Sequence, residues 1–225
     1  MFDIIGAKER KKLKDNKNKK LVVFDWGDVL LDVNSPVYNS YTAIKNIGHD
    51  MGFDQHSFIT FLKKKEFWTT EGEKLELLIN EYLEEVNSEK TVEDFKECYL
   101  KHFRQITWFE DMIEFLTSLH DQGVCTGIIS NLCQLDGELL AEKLPMDKID
   151  YRFYSYNLGV EKPDSKVYEI VETVSGCSPE NIFFMDDKQK NIDAAVARGW
   201  RGICATGDEI TKIKEEVYRF INTEH

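Results

Sequence analysis

The chain has 225 residues, 42% of them hydrophobic, and a formal net charge of -12 at pH 7. That is ample apolar material for one packed core with a modest insertion, which excludes a disordered or fibrous class. The acidic balance argues against nucleic-acid binding by the folded body, and no run approaches the ~20 apolar residues that cross a membrane.

The charge is uneven. Residues 8–20 hold eight Lys or Arg against Glu9 and Asp15, in a stretch poor in apolar residues, so 1–20 is expected to be a basic, flexible arm. It lacks the apolar centre of a secretion signal. Five cysteines (Cys98, Cys125, Cys133, Cys177, Cys204) without a C-x-x-C pair indicate neither a disulfide framework nor a zinc knuckle. The expected compartment is cytoplasmic.

The first β-type run is Leu21 to Asp25, ending just before Gly27. Residues 33–107 carry helix patterns and no strand. Ser35-Pro36 offers an N-cap and a first-turn proline, Asp54 can cap a helix over Gln55 to Glu66, and Thr91 with Asp94 can form a capping box. Leu75, Leu78, Ile79, Tyr82, Leu83 and Val86 make one apolar stripe. The many aromatic residues here, Trp68 and Phe103 among them, are expected to be core. After 107 strands and helices alternate: a helix over Trp108 to Gln122 closed by Gly123, then strands at Val124 to Ser130, Tyr151 to Tyr156, Ile182 to Met185 and Gly202 to Ala205. Helices are expected over Lys166 to Ser175 and Asn191 to Arg198. Such alternation predicts an α/β fold, a doubly wound parallel sheet with a helical insertion after its first strand.

In an open parallel sheet, ligands collect outside the carboxyl ends of the strands. Four successive ends deliver chemistry there: Asp25, then Ser130-Asn131, then Lys162-Pro163 in the loop after the third strand, then Asp186-Asp187. Each alone has a bland alternative, as a loop cap, a turn, a solvated lysine or a helix cap. Their joint occurrence indicates one site. Three converging carboxylates repel unless a hard cation neutralises them, which points to Mg²⁺ and an anionic phosphate. Lys162, the Ser130 hydroxyl and the Asn131 amide would hold phosphoryl oxygens while Asp25 attacks phosphorus.

Those segments carry a family resemblance. Phe24-Asp25-Trp26-Gly27-Asp28-Val29-Leu30 resembles the first motif of the haloacid dehalogenase superfamily. Ile128-Ile129-Ser130-Asn131 resembles its second, Gly159 to Tyr168 its third, and Phe183 to Asp187 with Asn191-Ile192 its fourth. The resemblance spans 21–205. It implies a Rossmann-like core over 21–32 and 108–225, with an α-helical cap of the C1 type over 33–107. It also implies Asp25 as nucleophile and Mg²⁺ ligand, Asp186 assisted by Asp187 as further ligands, and a backbone carbonyl from position 27. The partner is then a small phosphorylated substrate.

One position departs from the pattern. The superfamily's acid and base, two residues after the nucleophile, is Gly27 here. A positioned acid or base contributes about 10² to 10⁴ in rate, so its loss favours leaving groups that need no proton. The chain resembles an Asp-x-Gly branch that includes a phosphatase of glucose 1-phosphate, and a sugar 1-phosphate is one expected substrate. Asp28 replaces the missing acid only if the loop kinks inward at Gly27. Two alternatives stay open: a metal-independent 2-haloacid dehalogenase, and a non-catalytic phosphate-binding protein. The five histidines show no ligand spacing and suggest no competing mechanism.

Overall fold

The computed structural model describes residues 19–223. The basic arm expected over 1–20 lies outside them except for Lys19 and Lys20, as does His225.

Five parallel strands form one sheet in the order β3-β2-β1-β4-β5. They are β1 (Leu21–Phe24), β2 (Cys125–Ser130), β3 (Tyr151–Tyr154), β4 (Ile182–Asp186) and β5 (Arg201–Cys204). Every residue of β1, β2 and β4 is buried, because helices cover both faces. Side chains alternate along β1. Val22 and Phe24 pack with Phe115 and Leu119 of α6 (Glu110–Asp121) and with Val217 and Phe220 of α11 (Ile210–Ile221). Leu21 and Val23 pack on the other face, with Val167 and Tyr168 of α9 (Ser165–Ser175) and Ile192 of α10 (Gln189–Val196). The predicted doubly wound α/β fold is the one observed.

The register fixes the site. Phe24 pairs with Ile128 on one side and Met185 on the other, so the next residue, Asp25, is level with Ile129 and Asp186. The strand order reverses between β1 and β4, and the crevice of a doubly wound sheet opens at such a switch point.

Between β1 and α6 come five helices: α1 (Ser40–Met51), α2 (Gln55–Leu62), α3 (Lys65–Thr69), α4 (Glu73–Glu85) and α5 (Val92–Phe103). Asp54 caps α2 through Ser57 N–H at 2.9 Å, and the Thr91/Asp94 capping box opens α5. Their core is aromatic, with Phe61 stacked on Tyr82 and Tyr99 on Phe103, each at 4.3 Å between ring centres.

Several boundaries differ from expectation. The first helix of this region is capped by Asn39, whose Oδ1 accepts from Thr42 N–H and Thr42 Oγ1. Ser35, expected as the cap, makes only a local turn to Val37 N–H. The helix expected over Gln55 to Glu66 is split between α2 and α3. The strand expected to reach Tyr156 stops at Tyr154, where a short helix α8 (Ser155–Leu158) begins. Beyond these, α7 (Gln134–Lys143) and α11 were not anticipated.

Candidate active site

Asp25 is the first residue past β1 and is only 4% exposed. Its Oδ1 accepts three donors: Trp26 N–H at 2.6 Å, Ser130 Oγ at 2.8 Å and Lys162 Nζ at 2.9 Å. Ser130 arrives as the last residue of β2. Lys162 reaches in from the loop after α8, where its Nζ also donates to Ile129 O at 3.0 Å and Asp186 Oδ2 at 2.6 Å. Asp186 closes the ring from the end of β4. Its oxygens accept Asn191 Nδ2 at 2.9 Å and Lys188 N–H at 2.8 Å.

Burial, opposed by Lys162 and reinforced by Asp186, pushes the Asp25 carboxyl up to about 7. Burial also works to raise Asp186, but Lys162 and the donors around it outweigh that and hold this carboxyl below its usual range. Lys162 is 3% exposed. Desolvation alone would lower it, yet the two carboxylates hold it above its ordinary value and keep it charged.

Asp25, Asp186 and Asp187 each offer an oxygen within 4.8 Å of the others'. When ionised, these three carboxylates exceed the one buried ammonium, and a divalent cation would balance the excess. Asp187 Oδ1 is buried without a hydrogen-bond partner, with only the exposed Lys188 Nζ at 3.7 Å, a state that a bound cation would relieve. All-oxygen donors of this kind fit a hard ion such as Mg²⁺.

Asp25, Ser130 and Lys162 of this ring form the floor of a cavity of about 320 Å³, with Asp186 buried behind them. Trp26, Val33, Ile44, Trp68 and Phe103 give it apolar walls, and Ser40, Asp136, Lys188, Lys190 and Asn191 add polar surface. Trp68 and Phe103, expected to be core, therefore reach the cavity from α3 and α5. Ser155 Oγ ties Trp68 in place by donating to its carbonyl at 2.5 Å. The indole N–H of Trp26 is buried without a partner. Nothing in the sequence pattern singled out these wall residues, because they come together only through the insertion's tertiary packing.

Three expected site residues have revealing surroundings. Asn131 lines the cavity, but its amide clamps the backbone of Lys162, accepting from its N–H at 2.8 Å and donating to its carbonyl at 2.9 Å. Its role here is to position Lys162. Gly27 also lines the cavity, and a Cβ built there would meet only the Val33 methyls at 3.8 and 3.9 Å. Asp28 adopts φ +57, its Oδ2 accepts Asn34 Nδ2 at 2.5 Å, and it is not among the cavity-lining residues. Burial and the neighbouring Asp187 raise its carboxyl to about 6.

The Rossmann-like sheet and the carboxylate ring at its switch point are those of an aspartate-based hydrolase. The haloacid dehalogenase-like hydrolase profile matches residues 22–205, and the chain belongs to that family. It is 27% identical over 192 residues to the sesquiterpene phosphatase astK of Aspergillus oryzae, covering 83% of this chain and 90% of that protein. Among solved structures it resembles a predicted HAD-like hydrolase of Porphyromonas gingivalis (TM-score 0.71, 17% identity, 92% of this chain and 99% of that one). It also resembles the HAD family enzyme bt-2542 of Bacteroides thetaiotaomicron, solved with magnesium and inorganic phosphate (TM-score 0.66, 16% identity, 82% and 93%). A third likeness is to L-2-haloacid dehalogenase of Xanthobacter autotrophicus (TM-score 0.56, 18% identity, 82% and 76%).

Proposed function

We propose that this hydrolase is a Mg²⁺-dependent phosphatase of small phosphorylated metabolites, acting through an aspartyl-phosphate on Asp25. The observation that carries the reading is the buried ring of Asp25, Ser130, Lys162 and Asp186 beneath an open cavity. The phosphatase named among its relatives supports it, as does the magnesium and phosphate bound by bt-2542.

Oδ1 of Asp25 is engaged by three donors, which leaves Oδ2 as the attacking oxygen. Ser130 and Lys162 hold the carboxylate in place; the one hydroxyl proton and the three ammonium protons are all engaged on the floor, so each meets a phosphoryl oxygen by exchanging one of those bonds. Asp25, Asp186, Asp187 and the Gly27 carbonyl would hold Mg²⁺. When bound, it neutralises the acidic cluster and polarises the phosphoryl group. Helices α1–α5, the segment 33–107, act as the cap whose side chains choose the substrate, and the enzyme works in the cytoplasm. With no acid at position 27, the reaction is confined to leaving groups that depart unprotonated or nearly so, sugar 1-phosphates among them.

The test is phosphate release from a metabolite panel with and without Mg²⁺, using Asp25→Asn as the blank. Metal-dependent release that vanishes in the variant is the expected result. Chloride release from 2-chloropropionate without metal would establish the dehalogenase reading instead. Formation of a beryllofluoride adduct without any turnover would establish a non-catalytic phosphate binder.

A further inference from the structure

The walls and rim of the cavity narrow the substrate. Five of its lining residues, Trp26, Val33, Ile44, Trp68 and Phe103, are large and apolar. The polar amide and carboxyl groups that line it are already engaged: Asn131 by the Lys162 backbone, Asn191 by Asp186, and Asp136 by Tyr99 and Cys133. A sugar seated here would bury more hydroxyls than the lining has free partners for, which disfavours it. An apolar organic group fits such walls.

Beside the floor stand two further cations, Lys188 and Lys190, both lining the same cavity. Lys162 is already committed to Asp25 and Asp186. Lys188 Nζ lies 3.7 Å from Asp187 Oδ1, on a side chain 59% exposed. Lys190 pairs with no carboxylate among the described residues. One phosphoryl group is served by the floor and does not use these two charges.

Gly27 supplies the third observation. Its φ is not positive and a Cβ meets only ordinary contacts with Val33, so neither backbone nor space demands glycine. What distinguishes this position is the absence of a proton donor beside the leaving group.

From these together we infer that the substrate is the diphosphate of an apolar alcohol, and that hydrolysis stops at the monophosphate. The inference rests on the phosphatase reading above. Asp25 attacks the terminal phosphorus, and the bond from that phosphorus to the bridging oxygen breaks. The electron pair stays on the departing organic monophosphate, which is a stable anion and needs no proton. Water then attacks the aspartyl-phosphate at phosphorus and expels the Asp25 carboxylate. The proton released by that water goes to the freed phosphate. Lys188 and Lys190 meet the charge of the inner phosphate, and the apolar group lies against Trp68 and Phe103. The monophosphate product offers only an alkoxide leaving group, which requires the acid that position 27 lacks.

Octyl diphosphate, octyl monophosphate and glucose 1-phosphate, each with Mg²⁺, separate the outcomes. Expected are one phosphate released per octyl diphosphate and a kcat/KM at least about 10²-fold above that for octyl monophosphate, the rate worth of an absent acid. Lys190→Ala should raise KM for the diphosphate, and Gly27→Asp should gain turnover of octyl monophosphate. Release of two phosphates, comparable turnover of the monophosphate, or preference for glucose 1-phosphate overturns the inference while leaving the phosphatase reading intact. No Asp25-dependent release from any of the three overturns both.

Discussion

Lys162 makes the site's charges compatible with burial, so its removal tests the arrangement most directly. Lys162→Met leaves Asp25 and Asp186 facing each other without a counter-charge. Breaking a buried pair this way costs about 3–5 kcal/mol, which urea unfolding should show alongside loss of turnover. Asp28 gives the opposite expectation. Its carboxylate is held by Asn34 outside the cavity lining, so Asp28→Asn should leave kcat unchanged, as steady-state assays can check. At this scale, the strand-end rule was enough to place Asp25, Ser130, Lys162 and Asp186 in sequence, and the structure does bring them together. The tasks of Asn131 and Asp28 were not legible, because each depends on how two loops meet.

Among the elements, the junction of α5 with α7 carries its own titration. Asp136 is 1% exposed and accepts Tyr99 Oη at 2.9 Å and Cys133 N–H at 3.1 Å. Burial nonetheless pushes its carboxyl up to about 6. The folded state thus binds this proton more tightly than the unfolded chain, whose carboxyl titrates near 3.8. Its contribution to stability is full below that value and is lost as pH rises through about 6. Asp136→Asn removes the charge and keeps one acceptor oxygen, enough for either Tyr99 Oη or Cys133 N–H. The difference in urea midpoint between wild type and variant should therefore favour the variant increasingly from pH 4 to pH 7. Helix starts were legible where a cap has only local partners, as at Asp54 and Thr91. Ser35 does not cap because the helix begins only at Ser40, where Asn39 accepts Thr42 N–H while Ser35 serves Val37 N–H in the turn before it.

Across the whole molecule, the helical insertion meets the core through a few polar contacts beside the apolar ones. Ser155 Oγ holds the Trp68 carbonyl, Gln134 Oε1 accepts Gly72 N–H at 2.7 Å, and Tyr99 bonds Asp136. Ser155→Ala releases α3, the short helix that presents Trp68 to the cavity. Its expected signature is a raised KM with kcat little changed, since the floor beneath is untouched. The sheet itself was legible from alternation of buried runs with helices. The cavity walls were not, since Trp26 of the core faces Val33, Trp68 and Phe103 of the insertion only after both have folded.

The ammonium of Lys162 under two carboxylates also sets an order of events. An ion supplied by the chain itself lets these acids come together during folding, before any metal arrives. Chelation should therefore silence turnover and lower the melting temperature by no more than the ion's own binding free energy, leaving the fold assembled, and added Mg²⁺ should restore activity within mixing time rather than refolding time. Enzyme made under metal starvation would wait fully assembled, its output following the ambient ion.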